Sequence, residues 1–268
     1  MEEVLREQEQ RRAAGTLDPG ALFDRFTREH QAADDAVEAA IRAEASGIDP
    51  AAALRPILAL EGRMPIMPRL MAEMQAVSPR TVAYAALIAR WRGVESPEGP
   101  RPSRALALAA ADAWKAELVA LLPDPIIRVE LAPLAGAYAD LGELQAARGV
   151  ADLDRGVGPL GRLSILTAAR AWDEAADLAA QIDVRQVADA ILRAMQAERQ
   201  AERAARSPAE ARFTALFPDL DRAPDPAEIE AMAAGWVAQA REDLLTAARA
   251  SADPATARRI EQRLAPGA

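Results

Sequence analysis

Cysteine is absent from this 268-residue chain, which excludes disulfides, thiolate metal ligands and a cysteine nucleophile. Asparagine is absent too. Of 32 basic residues only Lys115 is a lysine, and His30 is the single histidine. One histidine cannot furnish the paired imidazoles of a helical di-iron centre. Any Ser–His–Asp arrangement would have to be built around His30, which reads as a surface or boundary residue of a long helix. The scarcity of Lys and Asn is read as coding composition, so abundant arginine is no sign of phosphate binding. Aromatics are only 4% of residues, β-branched residues are sparse and no alternating pattern persists, so no sheet is expected. Long apolar runs are missing as well. The most apolar window, Thr81 to Trp91, is far short of the roughly 20 residues a membrane span needs. The charge of −9 carries no basic block, which argues against nucleic acid as the main partner. The opening MEEVLREQEQRR is charged where a secretory signal would be apolar, and a cytoplasmic location is expected.

What remains is an apolar fraction of 51% supplied mainly by Ala and Leu, suited to close helix–helix packing. Helix starts are marked openly. Asp18-Pro19, Asp49-Pro50, Ser78-Pro79, Asp124-Pro125, Ser207-Pro208, Asp225-Pro226 and Asp253-Pro254 each precede an Ala/Leu/Arg/Glu-rich run. The Asp or Ser oxygen accepts from orphan first-turn amides, and Pro at the first helical position gives up a donor without a partner. Gly47 and Gly93 are placed to end helices, and Pro56 predicts a kink or break. Residues 1–93 read as an N-terminal helical region, 94–103 (VESPEGPRPS) as a Pro-rich linker, and 104–268 as a second helical region. The fold class is all-α: helical hairpins stacked as an irregular α-solenoid or bundle.

Within about residues 121–192 a pattern recurs. Asp124, Asp154 and Asp183 each precede a helix, and periods near 30 residues mark stacked helical hairpins. Leu134-Ala135-x-x-Tyr138-x-x-x-Gly142-x-x-x-x-Ala147 resembles the core of tetratricopeptide-type repeats, and Trp172-Asp173-Glu174-Ala175 resembles the opening of their second helix. The resemblance implies a protein-binding scaffold. Aligned on Tyr138 and Leu166, the family's groove positions fall on Ala132, Gly136, Ala139 and Asp140, then on Gly161, Ser164, Thr167 and Ala168. Tyr138, Asp140, Ser164 and Thr167 are thereby candidate partner-binding residues. No Lys, Arg or Asn stands at the groove positions, so a clamp on a peptide's terminal carboxylate is not expected. A partner there would bring an apolar helix that packs on small residues.

Other groupings are weighed against plain structural roles. Asp34-Asp35-x-x-Glu38 matches a magnesium-binding pattern of helical isoprenoid enzymes and fits the same helix face, yet Glu242-Asp243-x-x-Thr246 lacks the acid a second motif requires. A solvated helix face is the reading adopted. Met64, Met67, Met71 and Met74 gather four of the seven methionines. They offer core packing, an adaptable partner patch or thioether copper ligands. Met64, Met67 and Met71 are kept as candidate partner contacts. Gly156-x-Gly158 has no strand before it and reads as a turn.

No catalytic, cofactor or metal-binding residue is assigned. The leading expectation is a non-catalytic adaptor that binds a protein or itself. The alternatives are a subunit of an obligate assembly, and a helical enzyme or ligand sensor with a pocket between the two regions. One expectation is local and sharp. If Gly142 ends a hairpin's first helix in left-handed geometry, Gly142→Val costs about 1 kcal/mol or more. Chemical denaturation of the variant checks it, and wild-type stability would place Gly142 inside a helix.

Overall fold

The computed structural model describes residues 19–61, 64–65, 76–94, 100–121, 131–153, 158–205 and 225–265. The described chain is all-α. Twelve helices are present among these residues: α1 (Pro19–Ala45), α2 (Pro50–Ala53), α3 (Arg55–Leu58), α4 (Pro79–Arg92), α5 (Arg104–Leu121), α6 (Ala132–Asp140), α7 (Leu144–Gly149), α8 (Gly158–Ala168), α9 (Trp172–Gln181), α10 (Val184–Ala205), α11 (Pro226–Ser251) and α12 (Pro254–Leu264). A 3₁₀ turn, Val150–Leu153, follows α7. The only extended pairing among the described residues is a two-residue antiparallel ladder, β1 (Met64–Pro65) with β2 (Ala76–Val77), in register Met64 to Val77. None of these helices is long and apolar enough to cross a membrane.

The proline-marked starts behave as capping chemistry requires. Asp49 accepts from the amides of Ala51 at 3.0 Å and Ala52 at 3.3 Å, Ser78 from Arg80 at 3.2 Å, and Asp225 from Ala227 at 2.9 Å. Asp253 accepts from the amides of Ala255 and Thr256 and from the Thr256 hydroxyl at 2.6 Å. Those bonds hold its carboxyl below the usual carboxylate range, the hydroxyl contributing most. Pro56 divides what would be one helix into α2 and α3. Asp18, Asp124-Pro125, Ser207-Pro208 and the opening segment lie outside the described residues.

Helix ends repeat one motif. Gly47, Gly93 and Gly142 have φ of 86°, 76° and 79°, and Arg170 takes the same left-handed position at 57°. In each case the next amide reaches back five residues: Ile48 to Ala43, Val94 to Ala89, Glu143 to Tyr138 and Ala171 to Leu166, at 2.9 to 3.2 Å. This bond satisfies a carbonyl that the helix leaves orphaned. The helix ends at Gly142 and Arg170 are thus built alike.

The chain forms two compact units that divide between Ala146 and Ala147. In the first, α1 and α5 both pack on α4, α2 and α3 pack on α1, and α6 packs on α5. α4 and α5, the helices on either side of residues 94–103, both belong to this unit. In the second unit α11 packs on α8, α9, α10 and α12, and α8 and α9 form a hairpin. Ala supplies nearly half of the buried apolar residues, including Ala36, Ala40, Ala107 and Ala110 in the first unit and Ala175, Ala176, Ala179 and Ala248 in the second. Arginine closes helix ends across elements. Arg80 donates to the Leu60 carbonyl at 2.8 Å, Arg104 to Leu141 at 2.6 and 2.9 Å, and Arg241 to Ala179 at 3.0 Å.

The two tyrosines are both buried in the first unit. Tyr84 is pushed up to about 12, by burial first and then by the Glu117 carboxylate. Tyr138 is raised further, by burial and by donating its hydroxyl to Asp112 at 2.7 Å. A raised phenol pKa means that the folded state holds the proton longer. The associated stability is therefore complete below pH 10 and is lost as pH rises towards 12. Absorbance at 295 nm should show native phenolate lagging well behind that of the protein in guanidinium. Coincident curves would place the tyrosines in solvent.

Candidate functional site

The α8–α9 hairpin presents one wall of an open groove of about 410 Å³, and α11 presents the other. Leu163, Ser164, Thr167 and Ala168 come from α8. Arg170 and Trp172 stand at the hairpin turn, and Ala240, Asp243, Ala247 and Ser251 come from α11. The spacing on α11 explains the wall: positions 240, 243, 247 and 251 follow steps of three and four and share one helix face. Leu244 and Ala248, one position further round, are buried against the neighbouring helices. Small residues on both walls leave the seam open.

Its chemistry is mixed and shallow. Ser164 and Ser251 are exposed, and Thr167 and Trp172 are half-buried. Asp243 accepts from the Gln239 side chain at 2.8 Å. Arg170 brings a guanidinium to the turn, and among the described residues it is the one non-glycine with positive φ. That conformation crowds Cβ against the carbonyl and costs an arginine roughly 1–2 kcal/mol relative to an ordinary helical position. Backbone strain of this kind gathers at functional sites. No group of three or more His, Cys, Asp or Glu able to hold a metal ion occurs among the described residues.

The sequence-derived candidates fall in different places. Ser164 and Thr167 line the groove together with Ala168. Tyr138 is 1% exposed and its hydroxyl is committed to Asp112. Asp140 is half-buried and pairs with Arg92 at 2.7 Å. Both belong to the other compact unit. Met64 forms part of β1, while Met67 and Met71 lie outside the described residues. In the acidic motif, Asp34 and Asp35 are exposed and Asp35 accepts from Gln31, while Glu38 pairs with Arg90.

Sequence reasoning missed Arg170 and the whole α11 wall. The available signal for Arg170 was a helix break with no glycine to end it, where Gly142 ends α6. Comparison with protein-family models, curated proteins and solved structures finds no match.

The strain at Arg170 has a measurable consequence. Arg170→Gly removes the Cβ conflict but frees the unfolded chain, for a net gain of about 0.5–1 kcal/mol. The urea midpoint should therefore rise. A lower midpoint would show that the guanidinium's contacts outweigh the strain.

Proposed function

We propose that this chain is a non-catalytic adaptor that holds an amphipathic helix of a protein partner in the groove between α8 and α11. The observation that carries this reading is the lining itself. Ala168, Ala240 and Ala247 offer an apolar floor low enough for a helix backbone to approach, while Ser164, Thr167, Asp243 and Ser251 supply polar edges. Helix-in-groove recognition uses this division of labour.

Trp236 extends the site. It is 48% exposed and sits one turn before Ala240 on the same face of α11. Exposed tryptophans beside a groove are the residues that most often dominate binding energy.

A photo-crosslinking residue placed at Ser164 in cells that express the protein should give discrete higher-mass adducts. The same residue at Ala238, exposed on the far side of α11, should give none. Trp236→Ala should remove most of the Ser164 adduct, since loss of an anchor of this type costs about 2 kcal/mol or more. Equal adducts from both positions, or none from Ser164, would rule the groove out.

A further inference from the structure

A second feature of this unit is independent of the groove. Helix α12 packs on α9 and α11, but few of its side chains are buried in that contact. Thr256 and Ile260 are its only buried side chains, and the Thr256 hydroxyl is spent on Asp253. Ile260 is thus its one deeply seated aliphatic anchor. The remaining attachment is ionic. Arg259 reaches Asp173 at 3.6 Å, and Arg263 reaches Asp177 at 3.0 Å and Asp173 at 3.8 Å. On the other side Glu261 accepts from Arg249 at 2.8 Å. Arg263 also donates to the Asp173 carbonyl at 3.4 Å. All the paired side chains are between 41% and 64% exposed, and such pairs contribute little individually and are screened by salt.

The connector to α11 is two residues long, Ala252 and Asp253, both in extended backbone. A weakly anchored helix on a short hinge is the arrangement from which identical elements exchange between copies. We infer that α12 is an exchangeable latch, which leaves its own α9–α11 face and docks on the same face of a second copy of this chain. The occupant's chemistry is defined by α12 itself: an aliphatic anchor followed at the next turn by arginine, set against the Asp173 and Asp177 carboxylates. Exchange preserves every contact of the closed form, so only association entropy and hinge geometry oppose it.

Charge reversal tests this on the full-length protein. Arg259→Asp with Arg263→Asp leaves α12 facing Asp173 and Asp177 with like charge. Asp173→Arg with Asp177→Arg does the same with the opposite sign. In wild type, amides of Ile260 to Leu264 should exchange hydrogen at least roughly tenfold faster than those of Leu244 to Ala248, and faster still in high salt. Each double variant should lose most of the remaining α12 protection. Mixing the two should restore it and shift the light-scattering mass to a dimer, because each α12 now finds its complement only on the other chain. The fourfold variant restores the pairs within one chain and should protect α12 as wild type does, which separates latch loss from misfolding. A mixture that stays monomeric without recovered protection overturns the inference. So does a fourfold variant whose α12 remains unprotected, or a wild-type α12 that exchanges no faster than α11.

Discussion

Close approach of helix backbones is the constraint on which this structure depends. With aromatics at 4%, the interior cannot be filled by large side chains, and Ala supplies nearly half of the buried apolar residues described. An Ala contributes little area, so its value lies in what it permits: neighbouring helices settle near enough for backbone and Leu or Ile side chains to interlock. The few large buried groups then become fixed points. Tyr138 spans to Asp112, Trp114 is 5% exposed, and Ile260 anchors α12. Where small residues line a seam that no further described helix enters, the result is an opening, and the α8–α11 groove is such a seam.

Arginine complements this packing. Helices that are short and close together bring many orphan carbonyls within reach of neighbouring elements. The guanidinium fork suits that task, donating from two nitrogens to one turn as Arg104 does at Leu141 and Glu143. Arg80 and Arg241 each donate from Nε to a carbonyl of another element. Whatever the coding origin of the arginine excess, the fold uses it for closure of helix termini. At Arg170 the side chain is retained even though the backbone there favours glycine, which sets that arginine apart from the others.

Much of the fold was legible in the sequence because its signals are local. A cap, its proline and the first-turn amides lie within four residues, so the starts at Pro50, Pro79, Pro226 and Pro254 could be read directly. The left-handed ends at Gly47, Gly93 and Gly142 were equally plain. The repeat pattern singled out Ser164 and Thr167, which line the groove. The opposite wall was not legible, because Ala240, Asp243, Ala247 and Ser251 are some 70 to 90 residues further on and read as an ordinary amphipathic surface. Tyr138 shows the reverse case: its place in a repeat motif pointed to a groove, while its position is decided by Asp112, 26 residues upstream. The pairing of α4 with α5 across a proline-rich segment is likewise a tertiary outcome. Composition marked the segment as a break but carried no information on whether its flanking helices meet.

Helix α11 shows a packed face and, one residue round, the open face that lines the groove. Ala247 and Ala248 are neighbours on those two faces, and thermal unfolding of two single variants separates them. Ala247→Leu projects into the groove and should leave the unfolding temperature within a degree or two of wild type. Ala248→Leu forces extra methyl groups into the contact with neighbouring helices and should cost about 1–3 kcal/mol, a drop of several degrees in a chain of this size. Equal and large losses from both substitutions would mean that the groove is closed, and the account of this protein as a helix-binding adaptor would fail with it.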